Sequence, residues 1–291
     1  MDFFTEKNIK KIERNSSAHK GDSGRILVIG GSKDYAGAPA LVGLAALRSG
    51  ADWVTIAAPE KAAWAINSLS PDLVTKKFPC DYFDERREEE LIELSKNFDI
   101  ITIGNGMSER EDTKLLIQKI VQKIPQYKII DADAIKAIRI DDARNSILTP
   151  HEKELEMFLI NNKKSKKILE EKNMAVKAKK IQAELTELLK NNNVILLKGQ
   201  TDIIISQNLI LFNKTGNAGM SIAGTGDVLT GIAAGLLAQT KDMFYAASLA
   251  AYVNGKCGDA LLKKTGIGFL ASDMLNEIPK TLKLHRSMKW T

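Results

Sequence analysis

Residues 215–231 read Thr-Gly-Asn-Ala-Gly-Met-Ser-Ile-Ala-Gly-Thr-Gly-Asp-Val-Leu-Thr-Gly. Four glycines fall within eleven residues, at 216, 219, 224 and 226. Gly224-Thr225-Gly226-Asp227 stands directly before an apolar stretch with helical character. Glycines in such a turn free backbone N–H groups to point outward. The first N–H groups of a helix are unpaired and its dipole is positive there, so an anion such as phosphate binds readily. A carboxylate at 227 beside a held phosphate suits proton acceptance from an attacking hydroxyl. Asp227 could instead be an ordinary N-cap.

Other residues carry chemistry at predicted strand ends. Lys198-Gly199 follows a buried-looking strand, and Lys198 is either a solvated rim lysine or a point charge for phosphate. Asp131 and Asp133 flank another strand end. They would hold a water-coordinated Mg²⁺ between nucleotide phosphates or else cap the next helix. His151 follows Pro150, while His19 and His285 lie near the ends and carry no assigned role.

The elements that must position these groups follow a parallel-sheet grammar. Arg25–Ile29 is a short apolar strand running into Gly30-Gly31, the Ala/Leu-rich stretch 38–47 is a helix, and 54–57 is the next strand. Residues 99–103 end at Gly104-Asn105-Gly106, 111–124 have helical spacing, and 128–130 end at Asp131-Ala132-Asp133. Residues 194–197 end at Lys198-Gly199, and 203–205 with 209–212 form a hairpin about Gln207-Asn208. Two long helices are predicted near 227–239 and 243–263. In open α/β sheets the ligand lies beyond the carboxyl ends of the strands. Gly30-Gly31, Gly104–Gly106, Asp131–Asp133 and Lys198-Gly199 are therefore expected on one rim. The run Gly43, Ala45, Ala46 reads as close packing of a helix against the sheet.

Length and composition bound the alternatives. The 291 residues suit one large α/β unit or two small ones, and 44% hydrophobic with 27% charged is ordinary for a globular protein. With no stretch that reads as a long linker, one unit is expected, taken as 1–291 with 1–18 as an N-terminal extension. The two cysteines, Cys80 and Cys257, are far apart and form no CxxC, against a zinc ribbon or a disulfide scaffold. No apolar run reaches the ~20 residues of a membrane span, and residues 1–15 lack a signal-peptide apolar region, so a cytoplasmic location is expected. The net charge of +6 is concentrated in 161–180, with eight lysines and two glutamates. No aromatic residue is interleaved there for base stacking, so the run reads as a solvated helix face and not a nucleic-acid patch. Neither a GxxxxGK[ST] P-loop nor a GxGxxG after a strand is present, which argues against a Walker NTPase and a dinucleotide-binding Rossmann domain.

Asn217-Ala218-Gly219-Met220 with Gly224-Thr225-Gly226-Asp227-Val228-Leu229-Thr230-Gly231 resembles the signature of the ADP/ATP-dependent NAD(P)H-hydrate dehydratases of the ribokinase-like superfamily. Further blocks are similar in the same order: His19–Arg25 with Val28–Ser32, Tyr35–Pro39, Ala45–Ala51, Ile130–Ala134, Leu148–His151 with Glu154, Leu196–Gly199, Gly258-Asp259 and Ala271–Asp273. They span about residues 19 to 279. The resemblance implies a three-layer α/β/α ribokinase-like fold with a mostly parallel central sheet. It also implies nucleotide-dependent repair of NADH or NADPH hydrated on the nicotinamide ring: phosphorylation of the added hydroxyl, then elimination of phosphate.

By position in that resemblance, Asp227 matches the base and Gly224, Thr225 and Gly226 the anion hole. Lys198, Gly199, Gln200, Thr201 and Asp202, with Gly226 and Asn217, match the nucleotide side. Ala38, Pro39, Gly106 and His151, with Asp227, match the substrate side. Asn105 departs from the usual Gly-Pro-Gly, Glu152-Lys153 replaces Pro-Gly after Pro-His, and Asn254 stands where histidine is common. The family implies ADP or ATP as phosphoryl donor, Mg²⁺ and a homo-oligomer. With only ~20 residues before the first motif, too few for a core of their own, action on the S epimer alone and a separate epimerase are expected. A kinase of a small alcohol, or a non-catalytic nucleotide sensor, are the alternatives that the same residues would serve.

Overall fold

The computed structural model describes residues 1–10, 12–15, 17, 19–283 and 286–289, so His285 lies outside the described residues. The elements run β1 (Ile12–Asn15), β2 (Arg25–Ile29), α1 (Gly37–Arg48), β3 (Trp53–Pro59), α2 (Glu60–Leu69), β4 (Val74–Phe78), α3 (Glu88–Ser95) and β5 (Ile100–Ile103). Then come α4 (Glu111–Lys123), β6 (Tyr127–Ile130), α5 (Asp133–Ala137), β7 (Ser146–Leu148), α6 (Glu152–Asn161), α7 (Met174–Glu184), α8 (Thr186–Lys190) and β8 (Val194–Leu197). The chain continues through β9 (Asp202–Ile205), β10 (Ile210–Asn213), α9 (Thr225–Thr240), α10 (Met243–Thr265), α11 (Ala271–Lys283) and β11 (Arg286–Lys289).

Nine strands form one sheet in the order β10-β9-β8-β7-β6-β5-β2-β3-β4, and β1 pairs with β11 in a separate parallel ribbon. From β4 across to β8 every neighbour is parallel; β9 is antiparallel to both β8 and β10. The central strands β2, β5 and β8 are apolar on both faces because helices cover both, whereas the edge strand β4 is mixed. Ile26 and Val28 of β2 join one core with α1, α2, α9, α10 and α11, whereas Leu27 and Ile29 join a second core with α3 to α8. The result is the expected three-layer α/β/α arrangement.

Helix α9 is buried along most of its length because it lies between α1, α10 and the sheet. Gly231 permits this approach, since a β-carbon there would fall 2.3 Å from the carbonyl oxygen of Val42. Gly43 of α1 faces Val54 and Ile56 of the sheet as expected, but Ala45 and Ala46 face α9. The lysine-rich stretch is not one helix face: it crosses the end of α6, a 3₁₀ turn at Lys166–Glu170 and the start of α7. Among the described residues no helix is long and apolar enough to cross a membrane.

The chain proceeds from β2 to β3 and β4 on one side, then returns to place β5 on the other. The crevice where strand order reverses is thus bordered by the loops after β2 and β5.

Candidate active site

The strand ends converge as expected. The Gly31 N–H donates to the carbonyl of Asn105 at 2.9 Å, Asp131 N–H to Ile103 at 3.1 Å, and Lys198 N–H to Pro150 at 2.8 Å. Helix α9 points its first turn at this rim. Gly224 is its N-cap, with φ of 97° in the left-handed region, so the chain turns sharply before Thr225. Residues 222–224 form a bend and turn and no strand, which leaves the amides before the helix outside any sheet ladder. Thr225 Oγ1 is engaged with the carbonyls of Met220 and Ile222, at 2.9 and 3.1 Å, so this residue offers an anion its N–H and not its hydroxyl.

Asp227 is the third residue of α9 and not its N-cap. Its Oδ1 accepts a hydrogen bond of 2.7 Å from Asn105 Nδ2. The same nitrogen donates to Asp131 Oδ2 at 2.9 Å. Burial, then the charge of Asp131, push the Asp227 carboxyl up to about 6 against the opposing pull of Asn105 and Lys198. A carboxylate with that proton affinity is suited to accept a proton near neutral pH.

Asp131 is buried and bonded to Lys198 Nζ at 3.0 Å and to Thr230 Oγ1 at 2.8 Å. Burial alone would raise its carboxyl; Lys198 and the hydrogen bonds hold it below the ordinary range. Lys198 is correspondingly held above its usual value by Asp131 and Glu154 despite burial. It is therefore a largely covered, paired cation and not a solvated rim lysine. Asp133 faces elsewhere: it accepts from the Ser108 N–H at 2.9 Å and pairs with Lys136 at 3.2 Å. Neither aspartate caps α5 with its side chain. Their carboxylates are committed to separate partners, and among the described residues no cluster of three metal-ligating side chains exists.

Gly199, Gln200 and Thr201 form a bend beside Lys198, with Gly199 and Gln200 exposed and Thr201 partly covered. Asp202 shapes it: one carboxyl oxygen accepts from the Gly199 N–H at 3.0 Å, the other from Asn213 Nδ2 at 2.9 Å. Asn217 accepts from the Gly219 N–H and donates to Asp259, at 3.0 and 3.1 Å, so its carboxamide is used in folding its own loop.

Gly106, Ala38 and Pro39 meet where the loops after β2 and β5 reach the start of α1; a β-carbon at 106 would lie 2.8 Å from Cβ of Tyr35 and 3.6 Å from that of Ala38. His151 stands apart from this group. It pairs with Lys198 through a parallel bridge and caps α6 reciprocally with Glu154. Its ring is half exposed, with Nδ1 accepting from the Glu154 N–H at 3.1 Å. Glu152 and Lys153 occupy the first turn of α6 behind it.

Two contributors are missed by the motif reading: Asn105 as a bridge and Thr230 as a donor to Asp131. Thr230 carries a sequence signal, since it lies three residues after Asp227 and so on the same helix face.

The mostly parallel, helix-flanked sheet has a ribokinase-like α/β fold, with a bare helix start, a largely covered cation and a raised carboxyl on its carboxyl rim. A family model described as NAD(P)H-hydrate dehydratase matches residues 26–280, and the chain belongs to that family. It is 37% identical over 275 residues to the bifunctional NAD(P)H-hydrate repair enzyme Nnr of Methanothermobacter thermautotrophicus, covering 92% of this chain and 51% of that one. The chain thus spans about half the length of the first curated relatives it matches. It is 33% identical to the ADP-dependent (S)-NAD(P)H-hydrate dehydratase of Cenarchaeum symbiosum, covering 96% of each. Among solved structures, the ADP/ATP-dependent NAD(P)H-hydrate dehydratase of Bacillus subtilis, co-crystallized with ATP/Mg²⁺, aligns with a TM-score of 0.80 and 26% identity over 98% of both chains.

Proposed function

We propose that this protein dehydrates the S epimer of hydrated NADH or NADPH at the expense of ADP or ATP. The observation that carries the reading is Asp227, with its carboxyl raised to about 6, placed in the first turn of a helix whose glycine-flanked amides face the same rim. The nucleotide lies with its terminal phosphate against Gly224, Thr225 and Gly226 and beside Lys198, with the Gly199–Asp202 turn against its remainder. The hydrated nicotinamide enters past Ala38, Pro39 and Gly106, with His151 at the far edge. Asn217 shapes the glycine loop from behind.

The ring hydroxyl oxygen attacks the terminal phosphorus, Asp227 takes the hydroxyl proton, and the bridging P–O bond breaks to release AMP from ADP or ADP from ATP. The ring C–O bond then breaks, inorganic phosphate leaves, and loss of the neighbouring C–H proton restores the dihydronicotinamide. Hydroxide is a poor leaving group and phosphate a good one, while the amides and Lys198 stabilise the transferring charge. Mg²⁺ held by the nucleotide phosphates would offset their charge; Asp131 and Asp133 are each engaged with a separate partner, Lys198 and the Ser108 N–H.

The enzyme acts in the cytoplasm together with an epimerase activity that interconverts the hydrate's epimers. Exposed Trp64, Leu69 and Val74 near the edge strand β4 support assembly into a homo-oligomer, which light scattering will test. The functional test incubates the protein with hydrated NADH and either nucleotide. Recovery of reduced-nicotinamide absorbance with stoichiometric phosphate is expected. No recovery with either donor defeats the reading, and a stable phosphorylated alcohol identifies a kinase instead.

A further inference from the structure

Asn105 is 1% exposed at the turn between β5 and α4. Its backbone is held from one side, where its carbonyl accepts from the Gly31 N–H at 2.9 Å. Its carboxamide nitrogen gives one hydrogen bond to Asp131 Oδ2 and one to Asp227 Oδ1, at 2.9 and 2.7 Å. The orientation is dictated by charge, because the reverse rotamer would turn an acceptor toward two carboxylates. The carboxamide oxygen is buried and has no hydrogen-bond partner, so the two donor bonds are kept at the cost of an unsatisfied acceptor.

We propose that Asn105 is a positioning residue: it pins Oδ1 of Asp227, leaves Oδ2 for the substrate hydroxyl, and ties the base to the buried Asp131–Lys198 pair. The proposal rests on the reading of Asp227 as the base. Oδ2 of Asp227 has no hydrogen-bond partner among the described residues, whereas Oδ1 is fixed by Asn105. A carboxylate held by one oxygen cannot rotate without breaking that bond, so the other oxygen stays directed.

The charges that act on Asp227 come from two strand ends: Asp131 and Lys198 most strongly, after β6 and β8, and Asp133 least, since its carboxylate is turned to Ser108 and Lys136. Asn105, after β5, is the neutral donor among them. A donor to the ionised form lowers a carboxyl's proton affinity. Removing Asn105 therefore releases Asp227 from its orientation and raises its affinity for protons. The nucleotide side, built on Lys198 and the α9 amides, does not depend on the carboxamide directly.

The test follows the carboxyl ¹³C signals of labelled aspartate across pH in the full chain and in Asn105→Ala, with Asp227→Asn assigning the resonance. The Asp227 midpoint is expected to rise by roughly half a unit or more in the alanine variant. In parallel, turnover of hydrated NADH at neutral pH is expected to fall ~10-fold or more, with the acid limb shifted upward and the nucleotide KM within ~2-fold. An unmoved midpoint overturns the proposal whatever the activity, and a lowered melting temperature with an unmoved midpoint marks Asn105 as structural only. If Asn105→Ala does not fold, the same titration of Asn105→Ser decides. If the full chain dehydrates nothing with either nucleotide, the dehydratase reading fails, while the titration still reports whether Asn105 controls Asp227.

Discussion

Lys198 stands against the backbone of Gly226, so near that a β-carbon at 226 would lie 3.4 Å from its Nζ. A cation and the start of a helix are thus brought to one point, where a phosphate would sit. Gly226→Ala should place a methyl group in that space. Gly226 is helical and lies outside the left-handed region, so alanine should leave the melting temperature unchanged or raise it, by up to ~1 kcal/mol of stability. Calorimetry is expected to show ADP and ATP binding weakened ~10-fold or more in the same variant. Unchanged affinity would remove Gly226 from the nucleotide site.

The Lys198–Asp131 pair makes a second prediction. Asp131 is held below its ordinary value in the folded chain, so its contribution is present above about pH 4 and is lost as pH falls through the depressed value. Lys198 is held above its ordinary value, so its share is present below about pH 10.4 and is lost as pH rises through the elevated one. Lys198→Met strands a buried carboxylate and should cost about 3–5 kcal/mol in urea unfolding at neutral pH. Adding Asp131→Asn should recover most of that loss without restoring nucleotide affinity.

Asp227 should trade stability for activity. Its folded value of about 6 lies above the roughly 4 of an unfolded aspartate, so folding binds extra proton between the two values. Stability from this group is present below pH 4 and declines as pH rises to about 6. Asp227→Asn is therefore expected to unfold later at pH 7, by at most about 3 kcal/mol, while turnover falls ~10²-fold or more. The wild-type rate should decline on the acid side with a midpoint near 6. A fully active asparagine variant would show that the base lies elsewhere.

Lys128, on β6, is 1% exposed, and among the described residues its ammonium donates to the carbonyls of Ile124 and Gln126 and to no carboxylate. Burial lowers it to about 8. Below that value the folded chain carries a buried ammonium, and stability should rise as pH increases from about 8 toward 10.4, where the unfolded lysine also deprotonates. Lys128→Met should raise the melting temperature at pH 7 and flatten this rise; a destabilised methionine variant would show that the two carbonyl bonds outweigh the desolvation.

Much of this architecture was legible in the order of residues. Short apolar runs ending in Gly30-Gly31, Gly104–Gly106, Asp131–Asp133 and Lys198-Gly199 marked parallel strands, because a strand covered on both faces has no polar side to show. Gly224–Asp227 before an apolar stretch marked the helix start, because glycine and a following carboxylate have local consequences. The motif order pointed to the family for the same reason. What the order could not supply was partnership across the rim. The short β7 and the mixed β4 carry too little apolar pattern to stand out, and the strand order is set by packing between distant segments. Asp131 and Asp133 look alike in the chain, yet one is buried against Lys198 and the other turns to Ser108 and Lys136. Asn105 looked like a departure from a turn motif. Only the approach of β5, β6 and α9 in space, across separations of 26 and 122 residues, sets its carboxamide between two carboxylates, since hydrogen bonds and burial depend on distance and not on position along the chain.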